Sequence, residues 1–417
     1  MAIKGAAMNQ PMPQTASELG LMQGFPPASR VDHAQQLLKP YNRWSFQHIQ
    51  LLNPVADVWR GTEPSSPFEY DLHDLDSITY KNYLGQELSF NHMVEQSYTD
   101  GLMVLHRGKV IYERYLNNMQ PQTLHAWASG SKSVTGTLAA LLVAEQVLDP
   151  QATVAYYLPE LANSGFGDAT LAHVLGMSTA VGFAEQTSNL VTENFKYGVA
   201  LGWNPRPADY QGPTNVYEFL PTMLNTGEHG QRFTYQTPNT DVLAWIIKRV
   251  LNCSLAEAVS TFIWQKLGAE RDGLWVVDSA CAETAGSGFC STLRDMARFG
   301  QMLLGRGAFN NQQILPEAAV LAIEAGGDQI AFGWSAIAHP SNANYSYNYQ
   351  WWHTHNQHGA YIANGYGGQM LYIAPKAELV FAKMSSYPTP TADGSEFYAA
   401  MGAIPSLIAA LQYIFAL

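Results

Sequence analysis

The sequence predicts an α/β (α+β) chain in which an antiparallel sheet is flanked by helices and carries an all-helical insertion. Three observations carry this. Strand patterns lie near residues 100–116 and return after about residue 328. Helical periodicity dominates the stretch between them. A helix beginning at Ser131 is apolar on nearly every face, which marks it as central and buried.

The elements follow in chain order. Residues 1–45 are rich in Pro, Gln, Met and Ala and read as an extended N-terminal arm. "DGLMVLHRGKVIYERYL" (100–116) reads as two strands around a tight turn at Arg107-Gly108, with period-two alternation after it. Val134, Leu138, Leu141 and Leu142 then follow the helical repeat. Further helices are expected at 170–177, 214–224, 239–251 and 254–269, with a long loop at 178–213. "STLRDMARFGQMLLG" (291–305) is another helix, for which Ser291 is a plausible N-cap. "IAFGWSAI", "YSYNYQWWH", "GGQMLYIA" and "ELVFAKMSS" read as strands, and "APKAE" (374–378) as a hairpin-style turn. "IPSLIAALQYIFAL" suits a helix laid on a sheet. The expected units are an arm (1–45), a discontinuous sheet domain (46–125 and 285–417) and a helical domain (126–284).

Bulk properties narrow the function. The 417 residues are 47% hydrophobic and only 13% charged, as in a large, well-buried globular enzyme. The net charge of −12 and the lack of any basic run argue against nucleic acid and anionic membranes as partners. Cys253, Cys281 and Cys290 show neither disulfide nor metal spacing, and read as isolated thiols. The first twenty residues lack an apolar signal region, so a cytoplasmic location is expected. His353, His355 and His358 lie in a strand-to-turn region with few carboxylates, so no metal is assigned. No cofactor is expected.

The chemistry-bearing string is "WASGSKSVTGT" (127–137). Ser129 and Lys132 are spaced i, i+3, which places them one helical turn apart on one face. Unpaired N–H groups and the positive dipole end at a helix start favour charge on an attacked carbonyl oxygen. A lysine held on an apolar helix loses hydration, and enzymes tune such lysines to about 7–8. Lys132 could then take the Ser129 proton. The plain alternative is an N-capping serine beside a lysine that snorkels to water. Ser131 and Ser133 are local competitors, but neither has a lysine three residues on. No GxSxG elbow, HExxH or P-loop offers another scheme.

With these residues in place, the chain resembles the serine β-lactamase and penicillin-recognising superfamily, and within it the 6-aminohexanoate-dimer hydrolase and family VIII carboxylesterase branch. "RFTYQTPNTDVLAWIIKRV" (232–250), "GSGFCSTLRDMARFGQMLL" (286–304) and "NGYGGQMLYIAP" (364–375) are similar to its further motif segments. The resemblance implies a β-lactamase/transpeptidase-like fold. It implies Ser129 as nucleophile, Lys132 as base and Tyr235 as proton relay to the leaving group. It also implies an oxyanion hole from the Ser129 and Tyr366 backbone N–H groups. The implied substrate pocket holds Phe183, Trp203, Asn239, Gly365, Gly367 and Gln369, with Trp351 and Trp352 as further aromatic walls.

The implied activity is hydrolysis of small-molecule esters, and of amides, through an acyl-enzyme. A homodimer is implied by analogy. Asn239 follows Tyr235 by four residues and no lysine occupies the third motif. Both depart from the lactamase pattern and speak against penicillin recognition. Phe183 stands where the branch can place a tyrosine, which favours esters over amides. A β-lactamase or DD-peptidase, and a non-catalytic ligand-binding member of the same fold, are the alternatives.

Overall fold

The computed structural model describes residues 12–82, 85–183, 193–335, 342–388 and 395–414. Its larger sheet takes eight strands: β1 (Glu69–Tyr70), β2 (Thr99–His106), β3 (Lys109–Tyr115), β4 (Ser346–Asn348), β5 (Trp351–His353), β6 (Tyr361–Gly365), β7 (Gln369–Ala374) and β8 (Leu379–Ser385). Their spatial order is β4-β5-β6-β7-β8-β2-β3-β1. Every pair is antiparallel except β1 with β3, which is parallel.

Both faces of this sheet are covered, so its middle strands are apolar throughout. Every residue of β2 is buried. Strand alternation sends Met103 and Leu105 into one core and Leu102 and Val104 into the other. The first core lies under helices α2 (Ser131–Ala144) and α4 (Leu293–Leu304). The second lies under Phe90–Gln96 and the C-terminal helix α5 (Ser395–Ile414), which contributes Ala403, Ile404, Leu407 and Leu411. A smaller antiparallel sheet joins Val55–Val58, Gly273–Val276, Phe289–Ser291 and His125–Ala126.

Local chemistry explains the turns. Arg107 and Gly108 both take positive φ (52° and 78°), the two-residue hairpin geometry that matches strand twist. Pro375–Ala377 form a single turn between β7 and β8. Helix α2 is buried from Ser131 through Leu142, as its all-round apolar pattern requires.

Several expectations are corrected. Residues 12–45 are not an extended arm. Ala16, Leu21 and Val31 form a small core of their own against Tyr41, Trp44 and Leu52, and a short helix α1 (Asn42–Ser45) follows. The range 126–284 is not all helical, because the buried run Gly273–Val276 pairs with Val55–Val58 from the N-terminal side. "IAFG" is helical within Gln329–Gly333, since the Asp328 carboxylate accepts from Ile330 N and Ala331 N and starts a turn. Thr292, not Ser291, caps α4, while Ser291 belongs to the small sheet. The loop at 178–213 contains a helix at Glu193–Ala200; residues 184–192 lie outside the described ones.

Gly136, in the middle of α2, allows the close approach of a neighbouring turn. A Cβ there would lie 1.9 Å from Tyr349 O and 2.7 Å from Gln350 Cβ. Alanine normally stabilises a helix by roughly 1 kcal/mol over glycine. At this position the sign should reverse. Gly136→Ala should destabilise by about 1–3 kcal/mol, as overpacking does. A urea midpoint equal to or above that of the parent would contradict this packing.

Candidate active site

The site begins where the small sheet delivers the chain into α2. Ala126 pairs with Cys290, and Trp127 N donates to Phe289 O at 2.9 Å. Trp127 is fully buried and its Nε1 donates to Ser291 Oγ at 2.8 Å. Ala128 then takes φ +47°, the left-handed region rare for a residue with a Cβ. One helical turn, Ala128–Gly130, leads into α2. Ser129 therefore sits on a sharp turn immediately before the helix, half-buried.

Lys132 follows in the first turn of α2 and is 1% exposed. It does not snorkel. Its Nζ lies in hydrogen-bond contact with Ser129 Oγ at 3.0 Å and donates to Gly286 O at 2.9 Å. Tyr235 flanks the same nitrogen, with its ring centroid 4.9 Å from Lys132 Nζ. That ring is stacked on Trp352 (5.2 Å, 29°) and met edge-on by Tyr347 (6.0 Å, 88°). Backbone bonds from Phe233 N to Ala331 O and Thr234 N to Met177 O hold the segment just before it. Helix α3 (Pro238–Leu251) begins three residues on, with proline in its first turn.

The end of β6 closes the other side. A Cβ on Gly365 would lie 2.2 Å from Trp127 O, so only glycine lets this strand rest on the turn that carries Ser129. Tyr366 follows and is half-buried. The turn and the strand end that carry the Ser129 and Tyr366 backbone N–H groups thus abut at Gly365 and Trp127.

The structure brings Ser129, Lys132 and Tyr235 together and sets Gly365 and Tyr366 beside them. Ser131 and Ser133 are committed elsewhere: their hydroxyls donate to Ala128 O and Gln350 O. Other expected pocket residues are corrected. Asn239 is fully buried; its Oδ1 accepts from Thr179 Oγ1 and its Nδ2 donates to Gln236 O, so it ties loops together. Gln369 is 1% exposed and bridges Tyr366 O and Ser385. Trp351 is core, donating to Thr137 Oγ1. Gly367, at φ +79°, faces Phe46, since a Cβ there would lie 2.6 Å from Phe46 Cε2.

Phe183 packs edge-on against Tyr197 and Phe219. It lines a cavity of about 830 Å³ that includes Thr234 and Gln236 but not Ser129, Lys132 or Tyr235. Trp203 is half-buried and donates to Ser287 Oγ, next to the Gly286 carbonyl that holds Lys132. Among the described residues no group of three or more His, Cys, Asp and Glu side chains is placed to hold a metal ion. Nor, among those residues, is any helix long and apolar enough to cross a membrane.

Asp241 escaped the sequence reading. It is wholly buried in the first turn of α3 and receives a hydrogen bond from the Tyr197 hydroxyl. Burial pushes its carboxyl up to about 7; the Tyr197 bond, the nearby Lys132 charge and the Ala285 N–H work against this, while Asp278 adds to it. In sequence it looks like an ordinary acid at a helix start, and nothing local marks it as buried beside Lys132.

Comparisons with known proteins show the family and the fold. The Beta-lactamase family profile matches residues 90–403. The 6-aminohexanoate-dimer hydrolase of Paenarthrobacter ureafaciens is 35% identical over 355 residues, covering 84% of this chain and 87% of that one. A Bacillus anthracis structure provisionally assigned as a 6-aminohexanoate-dimer hydrolase superposes with TM-score 0.83 at 31% identity, covering 93% of this chain and 98% of that one. EstCE1, a hydrolase with promiscuous acyltransferase activity, shares the fold at TM-score 0.60 and 14% identity, covering 75% and 96% of the two chains.

The Asp241 assignment can be checked through pH. A carboxyl whose value rises from 3.8 unfolded to about 7 folded contributes stability that is fully present below pH 3.8 and lost as pH climbs to about 7. Asp241→Asn removes that titration. The melting temperature of the variant minus that of the parent should therefore increase between about pH 4 and pH 8. A difference that stays flat across this window would mean that burial does not raise the carboxyl.

Proposed function

The chain belongs to the beta-lactamase family and is a serine hydrolase of that fold, and from this premise we propose that it cleaves esters and amides of small molecules through an acyl-enzyme on Ser129. The observation that carries the reading is the contact of Ser129 Oγ with Lys132 Nζ at 3.0 Å, inside a helix start that hides the lysine from solvent.

In this proposal Ser129 Oγ attacks the substrate carbonyl while Lys132 Nζ takes the hydroxyl proton. The bond from Lys132 Nζ to Gly286 O holds the amine in place for that transfer. Negative charge on the carbonyl oxygen is met by the backbone N–H groups of Ser129 and Tyr366. Tyr235, stacked on Trp352 beside Lys132 Nζ, passes a proton to the leaving alcohol or amine. Water then attacks the ester on Ser129, the same groups run in reverse, and the acid departs. General acid–base transfer contributes about 10²–10⁴-fold, and one oxyanion donor about 10²–10³-fold.

The substrate class rests on the relatives and on the walls of the site. The 6-aminohexanoate-dimer hydrolase relative points to small amide-linked substrates, and an acyl-enzyme on Ser129 would serve esters by the same steps. The aromatic surround of Trp352, Tyr235 and Tyr366 suits a compact apolar acyl chain. Phe183 packs against Tyr197 and Phe219 on a cavity that does not include Ser129, so it does not decide between esters and amides. The third-motif strand carries Asn364-Gly365-Tyr366 with no lysine to pair with a penicillin carboxylate.

Hydrolysis of short-chain p-nitrophenyl esters tests this directly. Ser129→Ala and Lys132→Met should each lower kcat at least about 10³-fold, and Tyr235→Phe about 10²-fold or more. A fluorophosphonate should label Ser129 in the parent. Turnover by Ser129→Ala at the parental rate, or a label on another serine, would sink the mechanism.

A further inference from the structure

The matched family region begins at residue 90, yet both walls of the site are tied to residues well before it. We propose that the segment Leu37–Phe46 is part of the active site, and that Arg43, Phe46 and the Tyr366 hydroxyl are positioning residues that set the spacing of the two oxyanion-binding N–H groups. The proposal rests on the acyl-transfer reading above.

The two donors sit on separate elements, the Trp127–Gly130 turn and the end of β6. Coming from different parts of the chain, they need a common anchor if their separation is to stay within a few tenths of an ångström. Phe46 touches both. On the turn side, its carbonyl accepts from Ala126 N at 2.9 Å, three residues before Ser129, and its ring meets His125 edge-on at 6.0 Å. On the strand side, the ring meets Tyr366 at 6.2 Å and occupies the space that a side chain on Gly367 would need.

The hydrogen bonds repeat the pattern. The Tyr366 hydroxyl donates to Leu37 O at 3.1 Å, anchoring the residue that carries the second N–H. Arg43 Nη1 donates to Asp100 Oδ1 at 2.9 Å, and Asp100 Oδ2 is 2.9 Å from His125 Nε2. The other ring nitrogen of His125 faces Ala126 O at 2.9 Å, so this chain runs from Arg43 to the nucleophile strand. The same guanidinium Nη1 donates to Ser386 Oγ at 2.8 Å, while the next residue, Tyr387, donates from its backbone N to Gly367 O. Arg43 and Asp100 are both buried, so each bond is shielded from water and from salt. One short helix therefore reaches the turn through Asp100 and His125, and β6 through Ser386 and Tyr387.

An anchor of this kind acts on the transition state rather than on substrate binding. The oxyanion must meet both donors at once, and a displacement of about 1 Å can cost on the order of 10²-fold in rate. A purely structural role would instead show as a lower melting temperature with unchanged chemistry in the folded fraction.

The experiment compares Phe46→Leu and Tyr366→Phe with the parent and with Ser129→Ala, on a p-nitrophenyl ester and on an alkyl phosphonate that leaves a tetrahedral, anionic adduct on the serine. Tyr366→Phe keeps the backbone N–H and removes the hydroxyl that donates to Leu37 O, so it remains informative if Phe46→Leu does not fold. Folded variants should lose about 10-fold or more in kcat with KM within about twofold of the parent, and phosphonate capture should slow in parallel. A kcat and capture rate within about twofold of the parent in folded Tyr366→Phe would overturn the proposal. If Ser129→Ala keeps full turnover, the acyl-transfer reading itself fails. If Ser129→Ala is inactive while the other variants behave as the parent, only the positioning role fails.

Discussion

The contact between Lys132 Nζ and Ser129 Oγ is the constraint around which the rest is arranged. A lysine in the first turn of an exposed helix would extend into water. Here α2 is buried from its first residue, so the amine has only protein to turn to. Ser129 and Gly286 O supply its hydrogen bonds, and the face of Tyr235 lies against it. Each of these partners arrives from a different stretch of sequence, and each is held by packing that has other work in the core.

That packing is layered. The sheet is covered on both faces, and the first core is continuous from β2, β7 and β8 through α2 and α4. Against so rigid a platform the Ala128 turn can keep a left-handed residue without relaxing. Trp127, buried and hydrogen-bonded to Ser291, fixes the entry to that turn. The Gly365 end of β6 then comes to rest on the Trp127 carbonyl. The geometry of the candidate site follows from close packing of backbone on backbone rather than from long side chains reaching across a cleft.

Charge is handled in the same way. The chain is acidic overall, yet the carboxylates nearest the site are buried and individually partnered. Asp241 takes the Tyr197 hydroxyl, and Asp100 takes Arg43 and His125. Breaking one side of such a buried arrangement typically costs about 3–5 kcal/mol, whereas an exposed ion pair contributes about 0–1 kcal/mol. These clusters therefore specify where strands and turns sit more than they add to net stability.

What could be read from the chain alone was local. The i, i+3 spacing of Ser129 and Lys132, the all-apolar helix after them, the Arg107-Gly108 hairpin and the helix after Tyr235 each depend on residues a few positions apart. The fold class and the family resemblance followed from those patterns in order. What the sequence did not disclose depends on contacts between distant residues. Asn239 and Gln369 look like site residues on motif segments, but tertiary contacts turn their amides inward. Phe183 was drawn into an aromatic cluster that no local pattern announces. The N-terminal segment read as an arm because its apolar residues are sparse; only the folded chain shows Phe46 and Arg43 wedged between two walls of the site. Periodicity reports which face of an element is buried, but not which remote segment buries it, and that choice was made by tertiary packing.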